Sequence, residues 1–249
     1  MKKIYTFLIA LMLCFTARAE VNFAYEAGAE IVSSYVWRGQ YTGGLSFQPE
    51  VLVGLDALEE AIQFRAGVWG SVGASDWKFT NNTYFVPEVD FLANVTAYGA
   101  TVGYTHYYYC DKGPGTGEIQ AGYNFDYLFG VGAYINWYTN VFNDADYASY
   151  LELGYDYTFQ DIGLTLGGQL GMSPWKSDFY VNNRFAVVNI ALKINKEWEF
   201  EHVTLDLFGT GSLNPHGLTN KMPVICSAAG DEKRYNQALN GTVGLGIWF

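Results

Sequence analysis

Acidic side chains recur at every second position in several segments of this sequence, and that spacing determines what chemistry they can do. Glu88 and Asp90 are two residues apart, as are Glu118 and Gln120, with one apolar residue inside each pair. Side chains two apart on a β-strand project from the same face, so we expect these acids to line one surface. A surface lined by like charges concentrates cations and resists anions.

The predicted polar face carries eleven acids and three bases. The acids are Glu26, Glu30, Glu50, Asp56, Glu88, Asp90, Glu118, Asp126, Glu152, Asp156 and Asp206, and the bases are Arg38, Arg65 and Lys193. From this face we select candidates for lining or constricting a lumen: Glu30, Arg38, Glu50, Arg65, Glu88, Asp90, Tyr107, Glu152 and Asp156.

The register of the strands, inferred from symmetric turns, predicts which of these residues are neighbours. It places Arg65 across from Asp90 and diagonal to Glu50, with Tyr107 beside Asp90 and Tyr109 beside Glu88. Two interpretations stay open. The row is a constriction zone, or it is an internal ion network that fills the barrel, because unpaired charge in a narrow lumen is costly.

Arg38 and its neighbour Trp37 form the most motif-like pair in the sequence. We expect Trp37 to anchor the chain at a membrane interface, where amphipathic rings are enriched. We expect Arg38 to pair with Glu50 or to cap the rim.

Signals of catalysis and of cofactor binding are weak. The histidines are His106, His202 and His216, and no metalloprotease, nucleophile-elbow or metal-ligand spacing surrounds them. The glycines at 113, 115 and 117 form a turn cluster, because Pro114 interrupts them and no helix follows to hold a phosphate. We therefore expect no catalytic residue, no metal and no cofactor.

Two cysteines follow the N-terminal region, Cys110 and Cys226. Both fall in or next to long connections on the same side of the predicted barrel, in an oxidising compartment. A disulfide between them would pin the last long loop across the barrel. The alternative is two free thiols that lie too far apart to bond.

Composition excludes two classes of protein. The 249 residues include 25 Asp and Glu against 14 Lys and Arg, with a sequence pI near 4.6. Such a chain repels nucleic acid, whose phosphates need basic contacts. Because half of the residues are hydrophobic and 20 are tyrosine, disorder is also excluded.

The N-terminus has the three parts of a secretory signal peptide. Lys2 and Lys3 precede an apolar stretch from Ile4 to Phe15, and Ala17-Arg18-Ala19 provides a cleavage site. We expect residues 1–19 to be removed, leaving 20–249 as a single domain. That domain contains no apolar stretch long enough for a transmembrane helix.

The remaining sequence has a hydrophobic period of two in twelve segments, which are 25–38, 47–56, 61–72, 85–97, 100–110, 118–127, 131–140, 147–159, 164–172, 185–194, 203–212 and 238–249. Connections of about 6–25 residues alternate with connections of mostly two to four, although the turn near 195–202 is longer. This is typical of an all-β fold, a transmembrane antiparallel up-and-down β-barrel of about 12 strands.

Alternation alone does not say which face is outside. The predicted polar faces lack the mixture of Lys and Glu found on soluble proteins, and aromatic residues gather at segment ends, as at Tyr35 and Trp37. The last strand also ends on an apolar face at Phe249, which resembles the signature that outer-membrane assembly machinery reads. These features favour an apolar face toward outer-membrane lipid over a secreted soluble β-protein.

Four stretches carry a family resemblance. They are Glu30–Gly39, Pro49-Glu50, Ala66–Ser71 and Pro87–Phe91, all within the first 110 residues. The chain resembles the TorF-like family of bacterial porin-type proteins, long catalogued as a protein of unknown function. The resemblance implies a Gram-negative outer-membrane barrel with a pore role, and it identifies neither a solute nor a functional residue.

The sequence therefore predicts a narrow porin for passive diffusion of small hydrophilic solutes, with a cation-leaning lumen. Two other classes stay open, a non-conducting structural or adhesive barrel and an outer-membrane enzyme.

Overall fold

The computed structural model describes residues 20–73, 88–109, 114–216, 222–223, 234–235 and 238–249. The predicted signal peptide at 1–19 and the predicted Cys110–Cys226 disulfide lie outside the described residues.

Twelve antiparallel strands close into a barrel, which confirms the predicted fold and strand number. Neighbours in the barrel run in the order β1-β16-β13-β12-β11-β10-β9-β8-β7-β6-β5-β4. Their bounds are β1 Val21–Val32, β4 Ser46–Ala57, β5 Ile62–Gly73, β6 Glu88–Ala97, β7 Ala100–Tyr109, β8 Thr116–Asn124, β9 Ala133–Phe142, β10 Ser149–Phe159, β11 Leu164–Ser173, β12 Ala186–Glu199, β13 Thr204–Leu213 and β16 Leu239–Trp248. Two small hairpins complete the strands, β2 Tyr35–Trp37 with β3 Gln40–Gly43 and β14 Met222–Pro223 with β15 Arg234–Tyr235.

The strand β4 shows how the sequence orients the wall. Phe47, Val51 and Leu55 are exposed, whereas Ser46 and Gln48 are buried. Successive side chains on a strand point to opposite faces, so the apolar side chains face outward and the polar ones face the interior. The other barrel strands repeat this arrangement.

The connections separate the two ends of the barrel. At the short-turn end lie the connections 58–61, 98–99, 125–132, 160–163 and 200–203, and at the other end, which we call the mouth, lie 33–45, 74–87, 110–115, 143–148, 174–185 and 214–238. The long turn predicted near 195–202 is wrong, because β12 continues to Glu199.

The eighth strand ends earlier than its alternation suggests. It stops at Asn124, whose side-chain Oδ1 accepts a hydrogen bond from the backbone N–H of Asp126 and starts a turn. A short helix, α1 (Asp126–Phe129), follows and ends at Gly130 in the left-handed conformation. Asp126 is therefore an exposed residue of the short-turn end, and its predicted place in the lumen is wrong.

The first predicted segment, 25–38, is also divided. β1 ends at Val32, and the chain turns back as the β2–β3 hairpin. Its two-residue turn has positive φ at both Arg38 (48°) and Gly39 (78°), as a type I′ turn requires. Gly39 also fits because a side chain there would collide with the backbone oxygen of Val188, 2.7 Å from its Cβ position.

This hairpin, Tyr35–Gly43, lies inside the barrel, and we call it the inner hairpin. The ring of Trp37 packs on Tyr107 of β7, with centroids 5.8 Å apart, while the carbonyl of Gly39 accepts a hydrogen bond of 2.9 Å from Asn240 of β16. Strands β7 and β16 are on opposite sides of the closed barrel. A hairpin that contacts both must cross the interior.

A small apolar core lies at the mouth. It contains Ala148, Tyr150, Tyr180 and Val188, with Tyr138, Phe179 and Ala186 packed against it. No helix in the described part of the chain is long and apolar enough to cross a membrane.

Candidate functional site at the mouth of the barrel

Arg38, at the tip of the inner hairpin, forms a bidentate ion pair with Glu118 of β8. The two guanidinium nitrogens lie 2.6 and 2.8 Å from the two carboxylate oxygens. Both side chains are buried, at 9% and 4% exposure. A planar fork of donors facing a carboxylate is the strongest geometry that this pair of residue types can adopt.

Three aromatic faces surround the same guanidinium. Its carbon Cζ lies 3.9 Å from the ring centroid of Tyr138, 4.2 Å from that of Trp37 and 4.9 Å from that of Tyr150. A cation over an aromatic face is attracted by the ring quadrupole, more strongly where water is excluded. Arg38 thus occupies a cage of rings closed by one carboxylate.

The cage keeps the guanidinium charged. Burial acts to lower the pKa of Arg38, but Glu118 together with Tyr180 and Tyr107 outweighs it, and the pKa is raised above its ordinary value. Arg38 also donates a hydrogen bond of 3.4 Å to the hydroxyl of Tyr180. Burial raises the pKa of Tyr180 well above the usual tyrosine value, so this hydroxyl stays neutral.

The sheet register fixes the cage wall. Glu118 is paired across β8 with Thr105 of β7 and Asn140 of β9, and Tyr138 of β9 is paired with Tyr150 of β10. These residues sit on consecutive strands with their side chains inward, so the carboxylate and the two rings are held by the barrel itself.

The carboxylate of Glu118 has a second partner in the wall. The hydroxyl of Tyr107 on β7 donates to its Oε1 at 2.9 Å. The orientation of the carboxylate therefore does not depend on Arg38 alone.

A hydrogen-bond network supports Tyr150 from behind. Its hydroxyl accepts bonds of 3.2 Å from the side-chain amides of Gln169 and Asn189, and Asn189 in turn accepts from Ser212 at 2.5 Å. Gly171 leaves room for this ring, because a Cβ there would lie 2.0 Å from the Tyr150 oxygen. The network holds the aromatic wall rigid across β10, β11, β12 and β13.

The connection 174–185 covers the cage from the outside. It folds on itself through the bridge Ser177↔Asn182. Its Phe179 packs edge-on against Trp37 at 5.5 Å, and its Tyr180 stacks on Tyr150 at 5.9 Å. The mouth is thus filled by two connections, this loop and the inner hairpin.

Three buried polar atoms near this region lack hydrogen bonds within the described residues. They are Nε2 and Oε1 of Gln40, which is fully buried on the inner hairpin, and Oδ1 of Asp90 on β6. Asp90 lies in register between Trp69 and Tyr107, which the inner hairpin contacts through Tyr35 and Trp37. A buried polar atom without a partner is a cost that the docked hairpin bears.

The predicted register around Arg65 is wrong. Arg65 lies across from Gly54 and Asn94, and it pairs with Asp56 through contacts of 2.5 and 3.0 Å near the short-turn end. Asp90, the predicted partner of Arg65, lies four residues along β6 from the observed partner Asn94. The prediction assumed a symmetric connection between β5 and β6, whereas the two strands pair with Arg65 across from Asn94.

The expectation that Tyr107 and Tyr109 continue the row of acids agrees with the register. Tyr107 lies across from Asp90, and Tyr109 lies across from Glu88. Tyr107 also reaches the cage directly, through its hydrogen bond to Glu118.

The other predicted lumen residues line the inner face away from the cage. Glu30 lies across from Gln48 and Gly246. Glu50 lies across from Gly28 and Trp69. The structure does not gather these two acids with Arg38.

Two more predicted residues belong to β10. Glu152 accepts hydrogen bonds from Gln169 and, at 3.5 Å, from Asn136. It lies two residues along β10 from Tyr150, toward the short-turn end. Asp156 lies across from Gly167, four residues further along β10 toward the short-turn end. Nearby, Lys193 donates to the hydroxyl of Tyr134 at 3.0 Å.

The expectations for Arg38 and Trp37 are corrected. Arg38 pairs with Glu118 rather than with Glu50, and Trp37 packs inside the mouth rather than at a membrane interface. The physical reason is the hairpin that follows β1, which carries both side chains inward. Sequence reasoning missed Tyr138, Tyr150 and Tyr180 as members of the site. A signal for the last was the adjacent aromatic pair Phe179-Tyr180 in the connection 174–185.

The three histidines do not meet in one place. His106 lies between the hydroxyl of Tyr104 and the carbonyl of Pro114, at 3.2 and 3.1 Å. His202 is exposed at the short-turn end, and His216 contacts the carbonyl of Val181 at 2.7 Å. Across the described residues, no group of three or more His, Cys, Asp or Glu side chains is placed to hold a metal ion.

No family model and no curated protein matches this chain. Among solved structures, the outer membrane protease OmpT from Escherichia coli aligns over 92% of this chain and 93% of its own length, at 10% identity and a TM-score of 0.23. At that distance the likeness says nothing about function.

Proposed function

We propose that this protein is a β-barrel of a bacterial outer membrane that lets small cations pass through a narrow, acidic lumen. The observation that supports it is the contrast between the two faces of the barrel wall. Apolar side chains cover the outer face, and carboxylates line the inner face.

The outer face supports a lipid environment. Large apolar side chains are exposed on every barrel strand, among them Phe23, Leu55, Phe64, Phe91, Val102, Ile119, Val141, Tyr155, Leu166, Leu192, Leu207 and Val243. Soluble monomers rarely expose continuous apolar patches beyond a few hundred square ångströms. A closed barrel leaves no free strand edge, which is the condition for placing strands in a bilayer.

The inner face supports a preference for cations. Its carboxylates include Glu26, Glu30, Glu50, Asp56, Glu88, Asp90, Glu118, Glu152, Asp156, Glu197 and Asp206, and its cations include Arg38, Arg65 and Lys193. Two of these three cations are already paired with carboxylates. The remaining negative charge raises the local concentration of cations and opposes the passage of anions.

The filled mouth supports a narrow pore. Arg38, Tyr150 and Tyr180 meet inside it, and the two tyrosines are essentially inaccessible to water. The path for solutes is therefore restricted to small species at this level. The proposal includes no catalytic step.

Single-channel recording in planar bilayers tests the proposal. The refolded barrel should conduct, and a salt gradient should give a reversal potential on the cation-selective side. Glu26, Glu30 and Glu50 changed together to Gln should bring the permeability ratio close to unity, because they remove inner charge. The matched control is Glu59→Gln with Glu60→Gln, two exposed acids of a short turn. A silent barrel would favour a structural or adhesive role, and an unchanged ratio would reject the acidic lumen as the selectivity element.

We also propose that the last strand directs assembly in the outer membrane. Phe249 is 61% exposed and continues the outward apolar face of Leu245 and Ile247, while its backbone pairs with Ala27. Phe249→Ser should lower the amount of folded barrel recovered from outer membranes, measured against Phe200→Ser, an exposed phenylalanine in a turn. Equal yields from both variants would reject this role.

A further inference from the structure

The cage around Arg38 is mostly a property of the barrel wall. Glu118, Tyr138 and Tyr150 belong to the strands β8, β9 and β10, and Tyr107 of β7 orients the carboxylate. The inner hairpin contributes Arg38 itself and the ring of Trp37. If the hairpin left, one carboxylate and two ring faces would remain in place.

Two features of the docked inner hairpin are energetically unfavourable. Arg38 is a non-glycine residue with φ of 48°, a region that side chains rarely adopt. Gln40 is fully buried with both side-chain amide atoms unpaired within the described residues. The Arg38 headgroup supplies the charged contacts of the tip, beside the packing of Trp37 on Tyr107 and the hydrogen bond from Asn240 to the carbonyl of Gly39. The position of the hairpin therefore depends on how well a guanidinium fits this wall.

We propose that the wall pocket of Glu118, Tyr138 and Tyr150 is a binding site for guanidinium-type monocations, and that Arg38 is its tethered occupant. A guanidinium matches the site in two ways. Its planar donors meet both carboxylate oxygens of Glu118, and its flat face stacks on Tyr138. An ammonium ion offers neither feature, since it is a compact and strongly hydrated point charge.

A neighbouring cavity gives room for a substituent on such a ligand. It has a volume of about 240 Å³ and is lined by Trp37, Tyr107, Tyr109, Gly115, Thr116, Asn140, Asn143 and Phe179. It shares Trp37 and Tyr107 with the surroundings of Arg38. The ligand class is therefore an alkylguanidinium rather than the bare ion alone.

Equilibrium binding to a vacated site tests this inference. Arg38→Ala removes the tethered headgroup, and methylguanidinium is then titrated into the refolded, detergent-solubilised barrel by calorimetry. Arg38→Ala should bind methylguanidinium about tenfold or more tightly than the wild type, whose site is filled, and than Arg38→Ala with Glu118→Gln, whose carboxylate charge is lost. Methylurea, a neutral ligand of similar shape, and methylammonium should bind the Arg38→Ala barrel no better than they bind the double variant.

The inference is independent of conduction, because a barrel that carries no current can still bind the cation. Far-UV circular dichroism and heat-dependent gel migration establish that each variant is folded. Should Arg38→Ala fail to refold, Arg38→Met keeps the aliphatic stem and serves the same comparison. Equal affinities of the vacated barrel, the wild type and the double variant for methylguanidinium would overturn the assignment.

Discussion

Arg38 and Glu118 are 80 residues apart in sequence, and their side chains form the central ion pair of the barrel mouth, with two contacts of 2.6 and 2.8 Å. Arg38 comes from a hairpin between the first two wall strands, whereas Glu118 belongs to the wall itself. This pair is the charged link between the inner hairpin and the barrel wall. The stability of the closed mouth should therefore depend on it.

Glu118→Gln should destabilise the barrel by about 3 kcal/mol, because it leaves the buried guanidinium of Arg38 without a counter-charge. The measurement is urea-induced unfolding in phospholipid vesicles. The control is Glu50→Gln, since Glu50 makes no ion pair within the described part of the chain and should cost less than about 1 kcal/mol. Equal losses for both variants would show that the ion pair does not hold the mouth.

Combining Glu118→Gln with Arg38→Met should recover much of that loss. The double variant removes both charges, and the coupling energy between the two sites should fall at the upper end of the range of about 0.5–3 kcal/mol seen for contacting residues. A coupling near zero would mean that the two side chains act independently, in conflict with their bidentate geometry.

Tyr150→Phe should lower the free energy of unfolding by about 1–3 kcal/mol. It deletes the oxygen that accepts from Gln169 and Asn189 and so leaves buried donors without this partner. The matched substitution Tyr155→Phe changes an exposed ring on the same strand and should have little effect. Similar values for the two would argue against a rigid network behind the cage.

Gly171→Ala should also destabilise the barrel, because the new Cβ would meet the ring and hydroxyl of Tyr150 at 2.0–2.5 Å. The expected loss is about 1–3 kcal/mol, the usual cost of overpacking. Gly211→Ala is the control, since no atom lies within 4 Å of its Cβ position. Urea titration of both variants decides the matter, and a neutral Gly171→Ala would show that the Tyr150 ring can move.

Leu192→Arg examines the orientation of the outer face. Leu192 is 73% exposed near the middle of β12, and an arginine on the lipid side at the midplane costs about 2–4 kcal/mol. Leu239→Arg, at the end of β16, should cost only about 0–1 kcal/mol because the side chain reaches the interface. In water neither change would matter, so equal and small effects on folding into vesicles would contradict the membrane assignment.

The alternation of polar and apolar residues was sufficient to predict the barrel. In β8, for example, Glu118 and Gln120 point inward because Ile119 and Ala121 take the outer face, and the sheet leaves no other choice once one face is apolar. Strand ends were less predictable, since the turn that Asn124 initiates depends on a local side-chain hydrogen bond.

The contents of the mouth could not be predicted in the same way. Tyr35 and Trp37 continue the parity of β1, because a hairpin has the same period of two as the wall strand before it. No local pattern in the sequence predicts the contact between Arg38 and Glu118, because the folded barrel is what brings these distant residues together. The position of Arg65 likewise depends on the register between β5 and β6, which alternation alone does not determine.

Ala29 pairs with Ile247, and the rest of β1 pairs with β16, so the first and last strands of the barrel meet at its seam. The barrel closes only when β16 pairs with β1. The inner hairpin directly follows β1 in the chain, so we expect it to reach the interior most easily before the sheet closes. We therefore expect the inner hairpin to dock before β1 pairs with β16.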